Sequence, residues 1–129
     1  MWDDFTIYIL NEVGKSNVKI AEVGIGKFDK IANTLDLNEN ITLVKTDINP
    51  KDDTVIKDDL MNPNLDLYRD VDLIYSIRPP GELQPYIVEL ALKINSQLII
   101  KPLTNEDLNT GKVKMKLKNF KEASFYILR

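Results

Sequence analysis

The sequence predicts one α/β domain over residues 1–129, with a mostly parallel sheet packed between helices. Short apolar runs alternate along the chain with segments whose apolar residues recur at helical spacing. A length of 129 residues suits a single core, and shares of 43% hydrophobic and 29% charged residues are ordinary for a globular domain. No internal repeat or Gly/Ser-rich linker divides the chain, which favours one domain over two.

The first half of the chain is predicted to fold as helix, strand, helix and two further strands. Gly14 ends the first helix, since glycine commonly takes the left-handed position after a helix. A glycine turn follows the first strand, and apolar residues at helical spacing mark the second helix. Asn49-Pro50 separates the second and third strands. The predicted ranges are 3–13 and 28–35 for the helices, and 18–23, 41–47 and 54–56 for the strands.

The second half is predicted to fold as strand, helix, strand and a closing antiparallel hairpin. Apolar residues from Leu83 to Ile94 recur at i, i+3, i+4, i+7, i+8 and i+11, which is the stripe of a helix that packs on a sheet. Pro85 suits the first turn of that helix, where its missing N–H costs least. The predicted ranges are 83–94 for the helix, and 71–76, 97–100, 112–120 and 124–128 for the strands.

The chain contains neither cysteine nor histidine. Disulfides, Cys/His zinc sites, cysteine nucleophiles and Ser-His-Asp triads are therefore excluded, and we predict no metal site. No apolar run approaches the roughly 18–20 residues that span a bilayer. The acidic start Met1-Trp2-Asp3-Asp4 also lacks the basic region of a secretory signal. We therefore expect a cytoplasmic protein that does not enter a membrane.

The net charge of −3 is unevenly distributed, because the residues from Lys101 onward include seven Lys or Arg against three Asp or Glu. Four lysines at alternate positions in this basic tail have two interpretations. They could form a strand face that contacts RNA or another anion. Alternatively, they are the solvated face of an edge strand, where lysine discourages aggregation. The four are Lys112, Lys114, Lys116 and Lys118.

The segment Glu22-Val23-Gly24-Ile25-Gly26 joins the first predicted strand to the next helix. Glycines at such a turn allow a sharp bend and let a ligand approach the helix start without meeting a Cβ atom. The same residues also occur in strand–helix turns that bind nothing. The acidic residues that follow in the sequence favour the binding interpretation.

Three acidic residues lie at the predicted ends of the second and third strands. Asp47 is 21 residues after Gly26, where a carboxylate can accept both hydroxyls of a ribose; the alternative is a turn cap before Asn49-Pro50. Asp58 or Asp59 could accept the exocyclic amine of an adenine; the alternative is a solvated loop charge. Because ligands of open α/β sheets bind beyond the carboxyl ends of the strands, we predict a nucleoside site here.

The charge of this site favours one nucleoside cofactor. Asp29 stands about where a dinucleotide motif has its third glycine, and its carboxylate would repel a diphosphate. S-adenosylmethionine has no phosphate and carries an ammonium and a sulfonium group, so an acidic rim favours it over NAD, FAD and ATP. We expect Glu22 or Asp29 to organise its methionine end. The predicted rim consists of Glu22, Asp29, Asp47, Asp58 and Asp59.

These residues resemble the motifs of the class I Rossmann-like methyltransferases, which use S-adenosylmethionine. The glycine turn at 22–26 resembles their first motif, Asp47 their ribose ligand, and Asp58-Asp59 their adenine-side acid. Ser76-Ile77-Arg78-Pro79-Pro80 lies where their motif after the fourth strand lies, and the hairpin resembles their last two strands. The whole chain is also similar to a family of small, functionally uncharacterised archaeal proteins, which share residues 22–26, 46–50 and 72–80. The resemblance implies a Rossmann-like methyltransferase fold and this cofactor, without an established reaction.

If the protein is an enzyme, Ser76 and Arg78 are the residues expected to face the methyl acceptor. The guanidinium of Arg78 could bind a phosphate or carboxylate of the acceptor, or could form an ion pair with a rim acid. Tyr75 is expected in the core. The chain departs from amino-methylating members of the superfamily, because Gly81 replaces their aromatic residue after the prolines and the helix before the hairpin is reduced to about 104–109.

Three functions remain open from the sequence. The first is a methyltransferase with an unknown acceptor, for which RNA is the first to test. The second is a non-catalytic protein that binds this or another nucleoside as a sensor or as a subunit of a complex with a protein partner. The small size and the missing acceptor clamp favour this second function, whereas the segment from Ser76 to Pro80 at a strand end favours the first. The third is an NAD-type oxidoreductase, which the carboxylate of Asp29 disfavours.

Overall fold

The computed structural model describes residues 2–102 and 108–129. Its α-helices and strands follow the predicted order along the chain. Short 3-10 helices cover Leu65–Tyr68 and Gly81–Leu83. The α-helices are α1 (Trp2–Val13), α2 (Lys30–Leu35) and α3 (Gln84–Ile94), and the strands are β1 (Val18–Val23), β2 (Ile41–Asp47), β3 (Ile56–Lys57), β4 (Leu73–Ile77), β5 (Gln97–Lys101), β6 (Lys116–Phe120) and β7 (Ala123–Leu128).

The strands form one seven-stranded sheet in the order β3-β2-β1-β4-β5-β7-β6. Strands β1 to β5 are parallel, whereas β7 is antiparallel to both β5 and β6. The predicted fold, a mostly parallel sheet with a C-terminal antiparallel hairpin, is therefore confirmed. The chain order reverses between β1 and β4, and ligands of open α/β sheets bind at such a reversal. We call the side of the sheet where the parallel strands end the carboxyl edge.

Local sequence accounts for the ends of the two long helices. Gly14 follows α1 in the left-handed conformation, with φ +61°, and its N–H donates to the carbonyl oxygen of Leu10 at 3.0 Å. Asn95 ends α3 in the same conformation, with φ +57°. Pro85 occupies the first turn of α3, as predicted.

Buried side chains cover both faces of the sheet. On one face, α1 and α2 contribute Phe5, Ile9 and Ile31 to a cluster that also contains residues of β1, β4 and β7. On the other face, α3 contributes Ile87 and Leu90 to a second cluster. The sheet is thus shielded from solvent on both faces, and its carboxyl edge is left for polar groups.

The bounds of several strands differ from the predicted ones: β4 begins at Leu73 instead of residue 71, and β3 and β6 are also shifted or shortened. β3 contains only Ile56 and Lys57, because the carboxylate of Asp52 accepts the backbone N–H of Thr54 at 2.8 Å and closes a turn there. β6 begins at Lys116, because a turn over 110–113, with Gly111 at φ +65°, precedes it. The predicted lysine face of this strand is therefore limited to Lys116 and Lys118, both of which are exposed.

The short helix predicted at about 104–109 lies mostly outside the described residues, and Leu108 and Asn109 belong to neither a helix nor a strand. Within the part of the chain that the structure describes, no helix is both long and apolar enough to cross a membrane.

Candidate functional site

The glycine turn after β1 and the end of β2 are joined by one carboxylate. Gly24 and Gly26 have φ angles of +65° and +59°, which lie in the left-handed region that favours glycine. The Oδ2 atom of Asp47 accepts the N–H of Gly26 at 2.8 Å, and its Oδ1 atom accepts the N–H of Asn49 at 2.8 Å. Asp47 is therefore the turn cap that one interpretation predicted. Since a carboxylate has about four acceptor positions, it retains capacity for a ligand.

A cavity of about 480 Å³ opens at this part of the carboxyl edge. Four of the seven predicted cofactor residues line it, namely Gly24, Asp47, Asp58 and Asp59, whereas Glu22, Gly26 and Asp29 do not. Its remaining walls are mostly apolar. They consist of Thr46, Ile48, Leu60, Met61, Pro80 and Leu83.

Asp58 and Asp59 differ in what they already bind. The Oδ1 atom of Asp58 accepts the N–H of Asn64 at 2.9 Å, and its Oδ2 atom accepts the hydroxyl of Tyr68 at 2.6 Å. Tyr68 is fully buried, and its hydroxyl also lies 3.1 Å from Oγ1 of Thr46. Asp59 is exposed, and its Oδ1 atom accepts the N–H of Met61 at 2.9 Å. Asp58 thus supports the cavity wall, while Asp59 retains more capacity to meet a ligand.

Glu22 lies beneath the glycine turn and is only 1% exposed. Its Oε1 atom accepts the hydroxyl of Tyr75 at 2.6 Å, and its Oε2 atom is buried without a hydrogen-bond partner among the described residues. Burial raises the pKa of Glu22 from 4.5 to about 8, more than the Tyr75 hydrogen bond and the charge of Lys45 lower it. Burial likewise raises the pKa of Tyr75. The expected core position of Tyr75 is observed.

The five predicted rim acids do not form one rim. Glu22 is buried, and Asp29 at the start of α2 forms an ion pair with Lys51. The hydrogen bond from Lys51 lowers the pKa of Asp29, so this carboxylate is charged but compensated. The acidic character of the site is therefore carried by Asp47, Asp58 and Asp59. Lys51 therefore offsets much of the repulsion that the carboxylate of Asp29 alone would exert on a diphosphate.

Ser76 is fully buried in β4. Its hydroxyl donates to the carbonyl oxygen of Val23 at 2.9 Å and so connects the ends of β1 and β4. A Cβ atom at Gly24 would lie 4.0 Å from this hydroxyl oxygen, so the serine sits directly behind the glycine turn. The structure places Ser76 in the support of the turn and not among the residues that line the cavity.

Arg78 directly follows β4 and is exposed. Its backbone is in the left-handed conformation, with φ +52°, which costs a non-glycine residue about 1–3 kcal/mol. Its N–H donates to the carbonyl oxygen of Lys101 at 2.6 Å, and this bond to β5 helps hold the conformation. Its guanidinium carbon lies 5.4 Å from the ring centroid of Trp2 and 5.3 Å from that of Phe28. No carboxylate lies within ion-pair distance of it among residues 2–102 and 108–129, so the predicted ion pair with a rim acid is not observed.

Sequence reasoning missed several residues of this edge. Trp2 and Phe28, the aromatic partners of Arg78, lie far from it in the sequence, and no motif marks Tyr68 as the partner of Asp58. The apolar walls of the cavity carry no motif of their own. A hint was available for Phe28, which lies two residues after Gly26 and before the first residue of α2.

A family model and related proteins match most of the chain. The model of the Uncharacterised protein family (UPF0146) matches residues 2–129. A UPF0146 protein of Methanothermobacter thermautotrophicus is 39% identical over 126 residues, which are 98% of this chain and 93% of the relative. A UPF0146 protein of Methanocaldococcus jannaschii is 49% identical over 118 residues, which are 84% and 82% of the two chains.

Solved structures with a similar architecture include methyltransferases. The crystal structure of a SAM-dependent methyltransferase from Aquifex aeolicus has a TM-score of 0.59 at 14% identity and covers 95% of this chain and 87% of its own. Magnesium protoporphyrin IX methyltransferase from Synechocystis, solved with bound SAM, has a TM-score of 0.58 at 12% identity and covers 98% and 75%. At these identities the likeness shows the fold, which is the Rossmann-like methyltransferase fold that the sequence motifs implied.

Proposed function

This chain belongs to the UPF0146 family, and we propose that it binds S-adenosylmethionine at the carboxyl edge of its sheet and transfers the methyl group to an acceptor. The observation that carries this proposal is the cavity of about 480 Å³ beside Gly24, Asp47 and Asp59. Cavities of about 300–1,000 Å³ are typical for ligands of this size. Carboxylates among apolar walls suit a nucleoside that carries positive charge.

The side chains of the cavity fit an adenosine. Ile48, Leu60 and Leu83 supply apolar walls against which an adenine can pack. Asp47 holds the glycine turn with one lone pair of each oxygen, so it can also accept the ribose hydroxyls. We assign the adenine amine to Asp59, because Asp59 is exposed, whereas Asp58 is partly buried and accepts the hydroxyl of the buried Tyr68.

The methionine end would lie over the glycine turn, where Gly24 has no side chain and leaves the backbone open to a ligand. Glu22 and Ser76 would act from beneath this turn, by holding the ends of β1 and β4 together through Tyr75 and the carbonyl of Val23. S-adenosylmethionine supplies an activated methyl group on a sulfonium. Transfer of that group depends on alignment more than on proton transfer, which suits a chain without His or Cys.

A second function, binding without catalysis, is favoured by one observation. Tyr75 and Ser76 are both fully buried, so among the residues from 75 to 78 only Arg78 is exposed toward an acceptor. A protein with this edge could sense the cofactor or serve as a subunit of a complex. Cofactor binding without methyl transfer to RNA, protein or small molecules would favour this second function.

The proposal is tested by calorimetric titration of the protein with S-adenosylmethionine and S-adenosylhomocysteine. We expect micromolar binding that Asp47→Asn weakens about tenfold or more, since hydrogen bonds to a charged group are worth about 1.5–3 kcal/mol. Asp53→Asn is the matched control, because Asp53 is exposed and does not line the cavity. Unchanged thermal unfolding of both variants shows that the fold is retained.

Two results would contradict the proposal. One is the absence of heat from either ligand at millimolar concentration, which would mean that the fold is kept without this cofactor. The other is equal affinity of the wild type and Asp47→Asn, which would place the ligand elsewhere. Tight NAD binding would instead favour an NAD-type oxidoreductase, the function that the carboxylate of Asp29 disfavours.

A further inference from the structure

A guanidinium lies over two aromatic rings, close in the chain to residues that line the proposed cofactor cavity. The Arg78 guanidinium carbon lies 5.4 Å and 5.3 Å from the ring centroids of Trp2 and Phe28, and the two rings lie 4.8 Å apart at an angle of 47°. We call these three residues the Arg78 stack. The two rings are partly buried, whereas Arg78 is exposed, so the rings fix the guanidinium from the protein side and leave it accessible to a ligand.

The Arg78 stack is connected to the cavity through two strand ends. Arg78 is two residues before Pro80, and Phe28 is four residues after Gly24, and both Pro80 and Gly24 line the cavity. A molecule held by the stack would therefore lie next to the turn where the methionine end of the cofactor is proposed to bind.

The charge around the stack favours an anionic ligand. Asp29 is paired with Lys51, and Asp3 lies 3.6 Å from Lys30, so the two neighbouring acids have lysine partners. Glu22 is buried and has a raised pKa. Within residues 2–102 and 108–129, Arg78 forms no ion pair, so its charge is available to a ligand.

We propose that the Arg78 stack binds an unpaired nucleotide of a single-stranded nucleic acid that is the methyl acceptor, an inference that rests on the proposed function. A base can stack on the plane of an arginine, and a phosphate accepts hydrogen bonds from the same guanidinium. A carboxylate alone would need the charge of Arg78 but not the two aromatic rings. The combination of a planar surface with a positive charge matches a nucleotide better than an acidic peptide.

Trp2 is the only tryptophan of the chain, so its fluorescence reports on the stack directly. The full chain is titrated with hexauridylate, hexathymidylate and an acidic tyrosine-containing peptide, with saturating S-adenosylhomocysteine present to occupy the cavity. We expect saturable quenching by an oligonucleotide. Quenching by hexauridylate identifies RNA as the source of the nucleotide, and quenching by hexathymidylate alone identifies DNA.

Arg78→Lys keeps the charge but removes the plane, and we expect it to weaken oligonucleotide binding about fivefold or more, as when a base loses a stacking partner. Phe28→Leu should weaken it in the same direction by removing part of the support. Arg69→Lys is the matched control, because Arg69 is an exposed arginine that precedes β4 and pairs with Asp66. Equal affinity of Arg78→Lys and the wild type, no quenching by either oligonucleotide, or quenching by the peptide alone would overturn the inference.

Calorimetry with S-adenosylhomocysteine on the same variants separates this inference from the proposed function. Arg78→Lys should retain cofactor binding, whereas Asp47→Asn should weaken it about tenfold or more and still show oligonucleotide quenching in the absence of cofactor. Cofactor binding without oligonucleotide binding overturns the acceptor assignment alone. Oligonucleotide binding without cofactor binding overturns the proposed function and, with it, the acceptor role of the stack.

Discussion

Two buried tyrosines at the carboxyl edge each bind a carboxylate at 2.6 Å, yet the two pairs are in different environments. In the β1–β4 pair, Tyr75 binds Glu22, which is 1% exposed and has one oxygen without a partner among the described residues. In the cavity-wall pair, Tyr68 binds Asp58, which is partly exposed and also accepts a backbone N–H. A tyrosine hydroxyl and a carboxyl group form both pairs. In the β1–β4 pair the carboxyl group keeps its proton, and in the cavity-wall pair the carboxylate lines the cavity.

The different environments of the two pairs indicate that they have different roles at the carboxyl edge. The β1–β4 pair lies beneath the glycine turn, where desolvation raises the pKa of Glu22 to about 8. The cavity-wall pair lies where solvent and a ligand can reach the carboxylate. The carboxylates that line the cavity are thus the ones at the ends of β2 and β3, whereas Glu22 of β1 is buried beneath the glycine turn.

The largest expected difference between the two pairs is a dependence of stability on pH that arises from Glu22. The folded state keeps the proton up to about pH 8, whereas the unfolded chain releases it near 4.5. The free energy of unfolding should therefore fall as pH rises through this window, by up to about 1.4 kcal/mol per pH unit. Urea unfolding of the wild type and Glu22→Gln measures it, and the difference between them isolates Glu22. Parallel stability curves for the two proteins would show that Glu22 is ionised in the folded state.

The next largest loss of stability is expected when the tyrosine hydroxyl of the β1–β4 pair is removed. Tyr75→Phe leaves Glu22 without its donor in a place that water does not reach, which should lower the free energy of unfolding by about 1–3 kcal/mol. Urea unfolding at about pH 6, where Glu22 is largely protonated, measures the loss. A loss equal to that of Tyr68→Phe would remove the distinction between the two pairs.

A smaller loss is expected from Tyr68→Phe, because water can replace the hydroxyl at the partly exposed Asp58. We expect about 0.5–1.5 kcal/mol in the free energy of unfolding. Since Asp58 shapes the cavity wall, the affinity for S-adenosylhomocysteine should fall as well, which calorimetry measures. Full retention of that affinity would show that the wall does not depend on this hydrogen bond.

The smallest effect is expected from Lys51→Ala, which removes the partner of Asp29. The pair lies near the surface, where ion pairs contribute little to stability. The affinity for S-adenosylhomocysteine should stay within error of the wild type, because neither residue lines the cavity. A clear loss measured by calorimetry would return Asp29 to the set of cofactor residues.

Much of the edge could be predicted from the sequence, because its signals are local. The left-handed backbone at positions 24 and 26 favours glycine, and Asp47 is the last residue of β2, which pairs directly with β1. Parallel strands bring their carboxyl ends to one edge, so residues at successive strand ends meet there. The separate roles of Asp58 and Asp59 could not be predicted in the same way, since the partner Tyr68 belongs to a short 3-10 helix later in the chain.

Local sequence patterns predict the order of helices and strands, the parallel sheet with its hairpin, and the meeting of the glycine turn with Asp47. Periodicity and glycine placement act within a few residues, so they are readable along the chain. Three other features appear only in the folded chain: Ser76 faces the backbone of β1, Glu22 is buried with Tyr75, and Arg78 lies over Trp2 and Phe28. Burial and side-chain partners depend on elements that approach each other in space, and no local pattern records that approach.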